Sequence, residues 1–142
     1  MKVKDLMTSR VIRISPEENA AVAARTLTHY NIGVLPVCGG DGKLCGVLTD
    51  RDIVTRCLAS GRRAEETPVR GIMTNQVVSV SPETDVSAAA SLMARQQVRR
   101  RPVVRDGEVC GMVSLGDLSQ CEQSAPDATD ALAEITSNVA RR

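Results

Sequence analysis

The sequence predicts an α/β (α+β) fold, two tandem β-α-β-β-α copies packed sheet to sheet. Three observations point to it. The 142-residue chain repeats itself in register, so that Met7/Met73, Pro16/Pro82, Pro36/Pro102, Gly46/Gly111 and Asp52/Asp117 correspond. Each copy alternates a short apolar run, an Ala-rich stretch at helical spacing, and two more apolar runs around a Gly/Asp turn. The period of about 65 residues exceeds that of common solenoid units, so each copy is expected to be a small subdomain.

The elements follow in order. "VIRIS" and "VVSVS" alternate as short strands and stop at Pro16 and Pro82. "SPEENAAVAARTLTHY" reads as a helix with Ser15 as N-cap, Pro16 at the first helical position and acids in the first turn. Ala20, Ala23, Ala24 and Leu27 give it an apolar face, and "SPETDVSAAASLMARQQ" repeats the design. "IGVLPVC" and "LCGVLT" around "GGDGK", and "VRRRPVV" and "VCGMVS" around "RDGE", predict β-hairpins. A helix then starts at each aspartate-bearing segment, longest in "DRDIVTRCLAS". A three-strand sheet with helices on one face cannot close a core alone, whereas two copies sheet to sheet can. The expected boundaries are 1–58 for the first copy, 59–68 for a polar linker, 69–121 for the second copy and 122–142 for a polar tail. Leu132, Ile135 and Val139 form a weak helical stripe in that tail, which reads equally as a docking helix or a frayed end.

Composition narrows the function. Hydrophobic residues make up 42% and aromatics 1%, with no Phe or Trp, so the core must be aliphatic. A formal net charge of +1 gives no global reason to expect nucleic acid or membrane as partner. No stretch approaches the roughly 18 apolar residues of a span, and "MKVKDLMTSR" has no apolar signal core, so a cytoplasmic location is expected. Five cysteines without a CxxC pair argue against a disulfide scaffold or a zinc finger and for small buried thiols. His29 is the one histidine, no Ser/His/Asp or Cys/His set or Walker-type loop is legible, and no catalytic residue is assigned.

"CGVLTDRDI" recurs as "CGMVSLGDL", with a hydroxyl three residues before a carboxylate at a strand-to-helix turn. A carboxylate can accept two hydrogen bonds from the vicinal hydroxyls of a ribose, and a hydroxyl beside free helix-start amides suits a phosphate. The simpler reading is a helix N-cap. In "VRRRPV" alternation puts Arg99 and Arg101 on one face and Arg100 on the other, so at least one is solvated.

"DLMT"/"GIMT" before the first strand, the hydrophobic–x–Pro–Val strand, and the Gly–apolar–apolar–Thr/Ser–x–x–Asp ending, duplicated in order over residues 1–121, resemble a tandem pair of CBS domains, as in stand-alone bacterial-type CBS-domain proteins. The resemblance implies a pseudo-twofold, disc-shaped module that commonly forms a homodimer. It also implies regulatory binding of AMP, ATP, NAD or another adenosyl ligand between the copies, without a catalytic cofactor. In the family the aspartate holds the ribose and the hydroxyl residue lies near the phosphate. Carried over with each cleft shared between copies, this expects cleft A from Thr49, Arg51, Asp52, Met73, Thr74, Val77, Arg99, Arg100 and Pro102. Cleft B would combine Ser114, Gly116 and Asp117 with Met7, Thr8, Val11, Gly33, Val34 and Pro36. Arginines favour anions, so cleft A is expected to be the tighter site and cleft B the weaker or empty one. Without large rings, adenine would lie among aliphatic and thioether groups, for which Met7, Met73, Val11 and Val77 serve as well as for core filling. The expected function is a regulatory adenine-nucleotide sensor acting on a separate, unidentified protein. The alternatives are a redox- or metal-responsive protein using Cys38, Cys45 or Cys110, and a ligand-free dimerisation module.

Overall fold

The computed structural model describes residues 1–77, 79–119 and 131–136. They fall into two compact units. The N-unit holds Ile12–Val77 with Gly107–Val109, and the C-unit holds Met1–Val11, Val78–Asp106 and Cys110–Arg142. The body of each unit is one copy of the repeat, but its lead segment comes from the other copy.

In the N-unit, α1 (Ala20–Tyr30) is followed by β1 (Val34–Cys38) and β2 (Leu44–Thr49), then α2 (Asp50–Asp52), which continues as π-helix through Ile53–Leu58. β1 and β2 are antiparallel, with Val34 opposite Thr49 and a bulge at Val37/Cys38. Leu35, Val37 and Leu48 bury one face of this hairpin against Ala20, Ala23 and Leu27 of α1, and Ile53 and Cys57 join them. Val69 and Ile72 of the second copy's lead segment complete this cluster. That segment is held by Val69 N–H to Glu18 O, Arg70 N–H to Pro16 O, and a two-way bridge between Val47 and Thr74. An ion pair joins Arg70 to Glu17. The 59–68 stretch, expected as a polar connector, is partly packed, for Thr67 is buried and its carbonyl accepts from Ala20 N–H.

The C-unit repeats the plan with α3 (Val86–Gln96), β3 (Arg100–Arg105), β4 (Glu108–Ser114) and α4 (Leu115–Ser119). β3 pairs with β4 around Asp106 and Gly107, both at positive φ (54° and 82°), a turn that the Asp-Gly pair suits. Val86, Ala89, Ala90 and Met93 of α3 pack on Val103 and Val113, with Leu115 and Leu118 of α4 and Val3 of the first copy's lead segment. Thr8 and Met112 exchange two backbone hydrogen bonds of 2.9 Å.

The lead segments explain the glycine in the repeated motif. A Cβ on Gly46 would lie 2.5 Å from Thr74 O and 3.1 Å from Met73 Sδ. On Gly111 it would lie 2.6 Å from Met7 Sδ and 3.0 Å from Thr8 O. Only a residue without a side chain lets the second backbone approach the strand so closely.

The structure corrects three expectations and, for residues 131–136, decides between two readings the sequence left open. Among the described residues, "VIRIS" and "VVSVS" form no strand; each contributes one parallel bridge, Ile14 to Val37 and Val80 to Val103, so each described sheet has two strands. The helices start later than Ser15 and Ser81. Ser15 and Pro16 lie in a separate turn closed by Glu18 N–H to Ser15 O, and α1 is capped by Asn19, whose side chain accepts from Val22 N–H. The next site with a free carbonyl acceptor and following amides wins because Asn caps as well as Ser. The third concerns the arginine run. β3 begins at Arg100, so alternation does not govern Arg99; Arg99 and Arg100 are exposed while Arg101 is buried. Finally, the 131–136 segment is helical and docked, with Ala131 and Ile135 buried in the C-unit cluster. Val139 and Cys121 lie outside the described residues.

Candidate functional site

The two Thr/Ser–x–x–Asp turns adopt the same local structure. Asp52 N–H donates to Thr49 Oγ1 and Thr49 N–H donates to Asp52 Oδ2, both at 3.0 Å. Asp117 N–H donates to Ser114 Oγ at 3.1 Å and Ser114 N–H to Asp117 Oδ2 at 2.9 Å. Each is a reciprocal capping box, with aspartate where glutamate is commoner, at the start of α2 and of α4. The hydroxyl therefore serves as a cap in both copies, as the simpler reading had it. One carboxylate oxygen of each aspartate remains outside that exchange.

The surroundings of these oxygens differ. Asp52 is 8% exposed, and its Oδ1 lies 3.8 Å from Arg56 Nε. Arg56 also donates through Nη1 to the carbonyls of Ile72 and Met73, at 3.2 and 3.0 Å. It thereby ties the Asp52 turn to the lead segment that carries Thr74 and Val77. Sequence reasoning missed Arg56, although its position four residues after Asp52 in a helix was a readable sign. Arg51 stands exposed on α2.

In the C-unit a pocket of about 430 Å³ opens beside the turn, lined by Arg99, Arg100, Ser114, Leu115, Gly116, Ser119 and Leu132. Leu115 N–H donates to Arg99 O at 2.9 Å, which fixes the start of α4 against the start of β3. Asp117 is not part of the lining. Two arginines, two serines and two leucines among the lining residues combine cationic, polar and aliphatic character, which suits a ligand with an anion and an uncharged body.

Arg99 and Arg100 were expected to join Thr49, Arg51 and Asp52, and Gly33, Val34 and Pro36 to join Ser114, Gly116 and Asp117. Within each unit, the strand start stands beside the turn of its own copy. Arg99 and Arg100 share the pocket with Ser114 and Gly116, while Val34 pairs with Thr49 and Asp50 N–H donates to Gly33 O at 3.3 Å. The cause is the hairpin, whose first residue lies opposite its last. Pro36 and Pro102 are buried within β1 and β3. Met73 and Met7 press on Gly46 and Gly111 and pack against the two cores, so both fill space; Val11 and Val77 are half-buried.

Among the described residues the cysteines are free thiols. Cys57 is fully buried, burial pushes the Cys38 thiol above its ordinary pKa, and Cys45 is exposed. Among the described residues no group of three or more His, Cys, Asp or Glu could hold a metal ion. None of their helices is long and apolar enough to cross a membrane. His29 is exposed and meets Tyr30 edge-on, ring centroids 4.7 Å apart.

Comparison with known proteins places these features. The sequence model of the CBS domain matches twice, at residues 3–59 and 69–122. CBS domain-containing protein YhcV of Bacillus subtilis is 40% identical over 134 residues, 94% of each chain. The crystal structure of Hypoxic Response Protein I with two coordinated zinc ions is similar, with a TM-score of 0.79 at 30% identity over 84% of this chain and 98% of that one. The CBS domain pair of protein MJ0100, in complex with 5'-methylthioadenosine and S-adenosyl-L-methionine, has a TM-score of 0.75 at 30% identity, covering 84% of this chain and 94% of that one.

Proposed function

The chain belongs to the CBS-domain family, and from that premise we propose that it is a regulatory module that binds an adenosyl nucleotide of the AMP or ATP kind. Proteins built on CBS pairs are regulatory, and MJ0100 shows that such a pair can hold adenosine-containing ligands. The observation that carries the reading is the C-unit pocket, where Arg99 and Arg100 stand beside the repeated Ser114–Asp117 turn. The ligand's phosphate is bound by the two guanidiniums, in charge-assisted contacts that carry most of the affinity. Its ribose extends past the pocket lining to the carboxylate oxygen of Asp117 that the cap leaves over. The N-unit turn, with Thr49, Asp52, Met73, Thr74 and Val77, is the weaker site, because Arg56 faces Asp52.

The ligand does no chemistry here. It shifts the balance between arrangements of the protein by the difference in its affinity for them, and a separate protein reads that balance, with a homodimer as the working assembly. Calorimetry of the full chain with AMP, ATP, NAD and S-adenosylmethionine tests the proposal. The charge-removing substitution Asp117→Asn retains an oxygen for the Ser114 cap, so it should lower affinity while leaving the fold intact. If no adenosyl compound binds, the proposal fails.

A further inference from the structure

The helical 131–136 segment is anchored by Ala131 and Ile135, which are 2% and 6% exposed, whereas Leu132 between them is 41% exposed. Leu132 does not face open solvent alone; it lines the same pocket as Arg99 and Arg100. A large aliphatic side chain beside guanidiniums and hydroxyls offers an ion nothing, but it offers a flat uncharged ring a surface to lie on. The chain has no Phe or Trp to do so. Resting on the reading of this pocket as a nucleotide site, we propose that Leu132 is a specificity-determining residue, the aliphatic wall that receives the ligand's base. The C-terminal segment then belongs to the binding site. Occupancy and docking of that segment strengthen each other, because the wall exists only when Ala131 and Ile135 are seated.

The test compares AMP with inorganic pyrophosphate, which carries the anion and no base, on the full chain. Leu132→Ala should weaken AMP roughly tenfold, from the apolar area no longer covered, and leave pyrophosphate unchanged. Leu132→Met, which keeps an apolar wall, should restore AMP binding, and an unchanged melting temperature in Leu132→Ala establishes that it folds. Equal AMP affinity in wild type and Leu132→Ala overturns the inference and leaves the proposed function standing. Equal losses for AMP and pyrophosphate also overturn it, since the side chain would then only shape the part that holds the anion. If AMP does not bind wild type, the nucleotide function falls, and this inference with it.

Discussion

The Thr49–Asp52 and Ser114–Asp117 turns share a capping box to within 0.1 Å, yet their neighbourhoods diverge. In the N-unit a cation already faces the spare carboxylate oxygen and clasps the lead segment. In the C-unit the cations face a pocket. A duplicated motif therefore guarantees a duplicated backbone, while side chains outside it decide whether the turn is structural or available to a ligand.

The glycines give the largest expected effect. Gly46→Ala must displace the Thr74 carbonyl, which is backbone, and should cost about 3 kcal/mol in denaturant unfolding. Gly111→Ala mainly meets the flexible end of Met7 and should cost clearly less. Equal losses would mean that both lead segments are held alike. The ligand comparison comes next. Arg100→Ala should weaken AMP by about 2 kcal/mol, roughly thirtyfold, in calorimetry, and Arg51→Ala should change it little. The reverse ranking would transfer the strong site to the N-unit.

Arg101 marks a third contrast. Its equivalent in the first copy, Leu35, is a core residue, while Arg101 is 7% exposed, with its Nε lacking any hydrogen-bond partner among the described residues. Burial also draws its guanidinium pKa below the ordinary value. Arg101→Leu should raise stability by about 1 kcal/mol in thermal unfolding. A loss instead would show that this cation has a role the hairpin of the N-unit lacks.

The smallest effect concerns the exposed clasp of the C-unit, where Lys2 meets Asp85 at 2.6 Å and Lys4 and Arg105 flank Glu83. The hydrogen bond from Lys2, and then its charge, hold the Asp85 carboxyl below its ordinary value of 3.8. The stabilisation is thus present above that value and fades as pH falls through the lowered one. Asp85→Asn should lower the melting temperature slightly at neutral pH, with the difference vanishing in strong acid and in about 1 M salt.

Much of this was legible in the chain. The hairpins with their Asp-Gly turn, the Ala-rich helices and the Thr/Ser–x–x–Asp caps all rest on contacts between near neighbours, and the repeat and the aliphatic character of the core are read from composition and pattern. The helix starts were misplaced because Ser15 and Asn19 are both competent caps, and only packing of Ala20 and Ala23 selects between them. The nearness of each strand start to the turn of its own copy was readable too, because an antiparallel hairpin brings its first residue opposite its last.

Contacts between distant stretches were not written locally. Nothing near Gly46 in sequence announces Met73 and Thr74, and nothing near Arg100 announces Leu132. Local hydrogen-bond geometry and periodicity specify turns, strands and caps, because a few adjacent residues are enough to satisfy them. Which backbone lies on which glycine, and which leucine shares a pocket with which arginine, depends on how distant elements close a shared core, and that emerges only when the whole chain packs.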